Sequence, residues 1–162
     1  MMVELGMLPQ GECLSSRRMS RRTSVPKAFL HKITADLVKA NMVNTFAGPT
    51  GGLALAQPAV DITLLQIVEA IEGPLCMNPC LLRPHECPRD LICPAHTFWG
   101  RLQALVVAEL RGVTLAELVA EARLLQQNPS KQRLDISYLL VEGEELPPQP
   151  RDREPAGRRA GG

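Results

Sequence analysis

Apolar residues recur at helical spacing along much of the chain, and proline, glycine or capping residues mark where helices begin and end. The first apolar segment, residues 2–8, is closed by Pro9 and has the length of two helical turns. A second helix is predicted over residues 15–23, because Ser15 and Ser16 are favourable N-cap residues.

A third helix is predicted to begin at Pro26, whose fixed φ suits the first helical position, and to end near Asn41. Its apolar positions form one stripe, which consists of Phe29, Leu30, Ile33, Leu37 and Val38. A helix, a three-residue turn and a further helix together make the helix-turn-helix pattern.

The pattern alternates over residues 42–58, which predicts two strands. Between them, residues 48–52 read GPTGG, a turn in which several positions permit positive φ. This segment is predicted to form a β-hairpin, or wing.

Helical spacing returns after the hairpin. Capping boxes at Thr63–Gln66 and Thr114–Glu117 predict the starts of two helices. Between these helices lie a loop over residues 75–94, where no regular element is expected, and a long helix from about Ala95 to Arg111. One side of the long helix carries Trp99, Leu102, Val106 and Leu110.

The composition agrees with a mainly helical fold, and the distribution of charge indicates a polyanionic partner. The 162 residues are 45% apolar and 3% aromatic, so a core of aliphatic side chains is expected. Residues 13–60 contain seven Lys or Arg and one acid, Asp36, whereas the rest of the chain is acidic. An uneven distribution of this kind favours a polyanion-binding module, although a solvated charged face is the alternative.

The cysteines point to metal or redox chemistry. No segment has the roughly 20 apolar residues that span a bilayer, and the N-terminus does not resemble a signal sequence, so a cytoplasmic protein is expected. Thiols stay reduced in the cytoplasm, and the five cysteines are an odd number. Four of them fall between residues 76 and 93, which favours a ligand set over a disulfide framework.

The sharpest motif is Cys80-x6-Cys87-x5-Cys93-x2-His96. Three thiolates and an imidazole suit an iron–sulfur cluster or a zinc ion. The gaps are wider than the close pairs typical of zinc sites and favour the larger cluster, while unrelated free thiols are the third interpretation. Cys76 lies outside this spacing and is interpreted as a packing thiol, as is the isolated Cys13.

Taken together, these segments resemble the Rrf2 family of bacterial winged-helix transcriptional regulators, which includes iron–sulfur-cluster, nitric-oxide and iron-response regulators. The resemblance covers residues 12–120 and rests on the segments SRRTSVPKAFLHKITADLVKANMV, GPTGGLALAQPAVDITLLQIVEAIEGP and VTLAELV, together with the spaced cysteines. It implies a mainly α fold with a small β-wing, namely a winged helix-turn-helix followed by a long dimerisation helix.

The resemblance also assigns residues. Cys80, Cys87 and Cys93 match the cluster ligands of the family, and His96 matches the fourth ligand of its two-iron members, so a [2Fe–2S] cluster is favoured over a [4Fe–4S] cluster. Residues 26–37 match the recognition helix. The DNA-binding residues predicted from this match and from the basic segment are Arg17, Arg18, Arg21, Lys27, Ala28, His31, Lys32, Gly48, Thr50 and Gly51.

Two departures from the family pattern accompany these assignments. The first helix corresponds only to the second half of its family counterpart, and Ala47 stands where the family has an arginine before the wing turn. Three parts are therefore predicted: a DNA-binding region with a truncated first helix at 1–60, the cluster loop and dimerisation helices at 61–130, and a mostly disordered tail at 131–162.

The leading hypothesis is a homodimeric, non-enzymatic regulator that binds double-stranded DNA and senses through an iron–sulfur cluster, with no catalytic residues and no membrane partner. A second hypothesis keeps the fold and replaces the cluster with zinc or with thiols that sense oxidants directly. A third, from another class, is an iron–sulfur electron-transfer protein.

Overall fold

Helices and a hairpin follow one another in the order that the hydrophobic pattern predicts. The computed structural model describes residues 1–9, 11–48, 51–83, 86–89 and 92–127. The predicted tail, 131–162, lies outside the described residues. The described helices are α1 (Met2–Gly6), α2 (Ser16–Thr23), α3 (Lys27–Lys39), α4 (Leu64–Glu72), α5 (Pro94–Gly112) and α6 (Leu115–Gln127). The strands are β1 (Val43–Phe46) and β2 (Gly52–Leu55), and single 3-10 turns occur at Ala59–Asp61 and Pro79–Leu81.

A tight turn joins α2 to α3. Ser15 caps α2 by accepting a hydrogen bond from the Arg18 amide at 3.4 Å. Ser24 takes a left-handed conformation (φ 56°), and the Ser20 hydroxyl donates to the Val25 carbonyl at 2.8 Å. These local hydrogen bonds stabilise the turn, and the two helices that it joins confirm the predicted helix-turn-helix.

The face that α3 buries differs from the predicted stripe. The buried residues are Leu30, Thr34 and Leu37, which follow the i, i+4, i+7 spacing of one helix face. Phe29 and Val38 were predicted on the same stripe but are 55% and 40% exposed. The prediction was wrong for these two residues. The apolar stripe of α3 is wider than the part of the helix surface that other elements cover.

The wing is an antiparallel hairpin in which Val43 pairs with Leu55 and Phe46 with Gly52. The segment before α2 forms a one-residue antiparallel bridge with the hairpin. In this bridge, Leu14 and Leu53 exchange backbone hydrogen bonds of 2.9 and 3.0 Å. Leu14 is fully buried. This bridge attaches the hairpin to the helix-turn-helix.

The two predicted capping boxes are both present, and they lie side by side. The Thr63 hydroxyl accepts from the Gln66 amide, and Gln66 accepts from the Thr63 amide at 2.7 Å. Thr114 and Glu117 repeat this arrangement at the start of α6. A one-residue antiparallel bridge between Thr63 and Thr114 joins the starts of α4 and α6.

The buried core is aliphatic, as the composition predicted. Its least exposed side chains are Leu14, Met19, Leu30, Leu37, Val43, Ile62 and Leu115. α1 completes this core by packing on α6, where a Cβ added to Gly6 would lie 2.6 Å from Cγ2 of Val119. Residues from both ends of the described chain therefore share one core. Within the described residues, the helices are too short or too polar for any of them to cross a bilayer.

Candidate functional site

The exposed side of α2 is basic. Arg17, Arg18, Arg21 and Arg22 are all exposed to solvent. Arg22 pairs with Glu4 at 3.1 Å, whereas among the described residues Arg17, Arg18 and Arg21 form no ion pair. Three arginines of the predicted DNA-binding set therefore remain available for an external anion.

The first turns of α3 continue this surface. Lys27, Ala28, His31 and Lys32 are all exposed, as the sequence predicted. Phe29 is exposed among them, although its place in the apolar stripe predicted that it would be covered. The first turns of α3 thus expose three side chains that can bind phosphate or base edges and one large apolar ring.

The wing turn depends on glycine. Gly48 has φ +106°, and its carbonyl accepts from the Gly51 amide at 3.1 Å. A Cβ at Gly51 would overlap the backbone carbonyl of Phe46. Gly48 and Gly51 can therefore offer only backbone groups to a partner. Thr50 lies outside the described residues.

The second candidate site is the cysteine-containing loop between α4 and α5. Cys80 lies in the 3-10 turn Pro79–Leu81, Cys93 is the N-cap of α5, and His96 lies in the first turn of α5. The His96 amide donates to the Cys93 carbonyl at 3.2 Å. All the cysteines are half-buried, including Cys87, which lies between these elements.

Contacts with α5 hold the beginning of this loop. The Met77 amide donates to the Gln103 side chain at 3.1 Å, and a Cβ at Gly100 would lie 3.9 Å from Cδ2 of Leu81. The turn that carries Cys80 therefore packs against the helix whose first turn carries His96.

The described residues do not bring the predicted ligands into one coordination shell. No group of three or more His, Cys, Asp or Glu side chains within the described ranges is close enough to hold a metal ion. Cys76, which was interpreted as a packing thiol, donates its thiol hydrogen to the Asn78 carbonyl at 2.9 Å. Within the described residues, the ligand candidates lie on the loop and on the first turn of α5 and do not form one coordination shell.

α5 is unusual because none of its nineteen residues, all of them described, is buried. The predicted dimer stripe of Trp99, Leu102, Val106 and Leu110 is half-buried, since α4 and the 3-10 turn pack against α5. Phe98 and Leu105, seven residues apart, are 51% and 69% exposed. The uncovered apolar side of α5 is therefore centred on these two residues.

Comparison with known proteins identifies the architecture. The family model of Rrf2, described as an iron-dependent transcriptional regulator, matches residues 1–121. The chain belongs to the Rrf2 family. Protein rrf2 of Nitratidesulfovibrio vulgaris is 30% identical over 134 residues, which is 79% of this chain and 85% of that protein. The regulator IscR of Vibrio atlanticus is 27% identical over 119 residues, covering 74% and 68% of the two chains.

Solved Rrf2 structures share the fold. IscR of T. potens aligns with a TM-score of 0.61 at 20% identity, over 85% of this chain and 87% of that one. CymR, the global cysteine regulator of B. subtilis, aligns with a TM-score of 0.57 at 22% identity, over 74% and 88%. The fold and the function as a transcriptional regulator, both predicted from the sequence, are confirmed.

Phe29 is the residue in the first turn of α3 whose exposure the apolar pattern did not predict. Its position three residues into α3 was visible, but apolar spacing alone assigned it to the core. A sharper signal lay in Thr34, whose placement four residues after Leu30 and three before Leu37 completes a narrower buried face.

Proposed function

We propose that this Rrf2 regulator is a homodimer that binds duplex DNA through α2, α3 and the wing, and that senses through an iron–sulfur cluster. The proposed ligands are Cys80, Cys87, Cys93 and His96. The observation that carries this proposal is that Cys80 and His96 lie on two elements that pack together, with the other two thiols on the chain between them.

The donor set fits a cluster in its chemistry. Thiolates are the usual ligands of iron–sulfur iron, and imidazole replaces some of them in certain two-iron centres. Nδ1 of His96 is buried, and the thiols are half-buried, so a group held there would be shielded from bulk water. The bound cluster would supply a redox and ligand-exchange signal. The chain would supply the ligands, namely the three thiolates and the His96 imidazole.

The DNA surface is supported by charge. Residues 13–60 carry a net charge of +6, from seven basic residues and one acidic residue. Each phosphate neutralised by Lys or Arg releases counterions, so affinity should fall steeply with salt. Ala47 contributes no positive charge at the wing, so the arginines of α2 and the lysines of α3 carry the phosphate contacts.

Dimerisation is supported by α5. No residue of α5 is buried, and Phe98 and Leu105 on its exposed side are not covered by α4 or by the 3-10 turn that pack against this helix. Two-fold symmetric proteins read half-sites about one turn of DNA apart. A dimer through α5 would set the distance between two copies of α3 for such a pair of half-sites. The 3-10 turn that carries Cys80 packs against α5, so a change at the cluster would affect the distance between the two copies of α3.

The deciding experiment is anaerobic purification followed by a visible spectrum and by iron and sulfide analysis. Visible absorption with equimolar iron and sulfide is expected, and it should be lost in Cys87→Ala. Cys76→Ala is the matched control and should keep its iron, because this thiol is already engaged with a backbone carbonyl. Zinc without visible absorption would instead favour the zinc alternative, and no metal in either protein would favour thiol sensing.

DNA binding is tested separately, by gel shifts on the gene's own promoter region in a salt series, with and without the cluster. A specific shift whose affinity differs between the two states is expected. Equal affinity in both states would leave a structural metal and remove the sensor role. The absence of any specific shift would contradict the DNA-binding part of the proposal.

A further inference from the structure

All three phenylalanines of the chain are more than half exposed, with values of 55% for Phe29, 54% for Phe46 and 51% for Phe98. The buried core, by contrast, consists of Leu, Met, Ile and Val. Single exposed apolar residues are common, so the surroundings of each ring must decide whether it has a function. Two of the rings have an explanation in the fold. Phe46 pairs with Gly52 across the hairpin and can cover this glycine, and Phe98 belongs to the apolar side of α5.

Phe29 has different surroundings. It is the third residue of α3, and its amide donates to the Pro26 carbonyl at 3.1 Å, which fixes it in the first helical turn. The exposed residues Lys27, His31 and Lys32 lie within one turn of it. On the helix surface, Lys32 is its i+3 neighbour.

An exposed apolar ring with a lysine, Lys32, as its neighbour on the helix surface suits duplex DNA better than a protein partner. The buried centre of a protein interface is depleted in charged residues, whereas the major groove is lined by phosphates and carries one apolar group, the thymine methyl. The first residues of a recognition helix are those that contact base edges. Lys32 would then face a phosphate while the ring enters the groove.

We propose that Phe29 is a specificity-determining residue that contacts the 5-methyl group of a thymine in each half-site. This inference rests on the proposed function, because it requires that α3 reads duplex DNA. It adds a requirement for thymine at one defined position, which the charges of Lys27 and Lys32 alone would not impose.

The test replaces thymine with deoxyuridine, which lacks only the methyl group. The probe is the duplex that the wild-type protein selects from a random-sequence pool, with each thymine replaced in turn. One position per half-site should lose about fourfold in affinity, the amount expected for burying one methyl group. Phe29→Ala should bind the thymine and uracil probes at that position equally well, which makes a double-mutant cycle.

Leu124→Ala is the matched control, because Leu124 is 63% exposed on α6, and it should keep the wild-type ratio between the two probes. The wild-type probe series does not depend on whether a variant folds. Specific binding with no sensitive thymine, or an unchanged ratio in Phe29→Ala, would overturn this inference and leave the proposed function intact. Failure to select any duplex would overturn both.

Discussion

Gly52→Ala should detach the wing from the helix-turn-helix. The Cβ added at this position would lie 2.6 Å from the Leu14 carbonyl carbon and 2.7 Å from its oxygen. Both atoms belong to backbone, so no side chain can rotate away to make room. The bridge between Leu14 and Leu53 must therefore open, and its two hydrogen bonds must lengthen or break.

The magnitude follows from what the bridge holds. Two backbone hydrogen bonds contribute about 1 kcal/mol each, and partial exposure of the fully buried Leu14 costs about 1 kcal/mol more. Replacing glycine restricts the unfolded chain and offsets roughly 0.5–1 kcal/mol of this loss. The expected net decrease in the free energy of unfolding is therefore about 2 kcal/mol, or roughly 4–8 °C in Tm for a chain of this length.

Gly100→Ala is the matched control for this change. Gly100 lies within α5, and an added Cβ would make only an ordinary contact with Leu81, so this variant should be stabilised by about 0.5–1 kcal/mol. Thermal and urea unfolding, followed by circular dichroism, measure both variants. If Gly52→Ala unfolds within about 0.5 kcal/mol of wild type, the bridge does not hold the wing and the reasoning fails.

Other predictions concern assembly and the helix caps. Leu105→Glu should convert the dimer to a folded monomer, as measured by light scattering. Leu124→Glu is the control and should remain dimeric. Dimers in both variants would exclude α5 as the interface. Thr63→Ala should lower the free energy of unfolding by about 1 kcal/mol through loss of an N-cap, and an unchanged urea midpoint would contradict this. The pKa of Glu117 lies below its ordinary value of 4.5, because its carboxylate accepts hydrogen bonds from the backbone amide of Thr114 and, to a lesser extent, from the Thr114 hydroxyl. The contribution of Glu117 to the stability of the fold is therefore present above pH 4.5 and is lost as the pH falls through the folded-state pKa. The difference in stability between wild type and Glu117→Gln should accordingly be largest near neutral pH; a difference that grows on acidification would refute the assignment.

Features that depend on neighbouring residues were predictable from the sequence. The capping boxes at Thr63 and Thr114 are built from residues three positions apart, so their hydrogen bonds could be expected before any packing was known. The hairpin was equally local, because glycines at 48 and 51 permit a turn that other residues would strain or block. The spacing of the cysteines identified the loop as a candidate site, and that assignment stays a prediction.

Other features depended on contacts between distant segments, and the tertiary structure alone decided them. Apolar spacing could not show which edge of the α3 stripe is covered, because that depends on where other elements pack against the helix; Phe29 consequently moved from predicted core to exposed surface. The bridge from Leu14 to Leu53 joins residues 39 positions apart, and Gly6 reaches Val119 only because α1 and α6 share one core. Local sequence determined the helices and turns, because their hydrogen bonds form within a few residues, whereas the exposed surfaces were decided by which distant elements exclude water from each face.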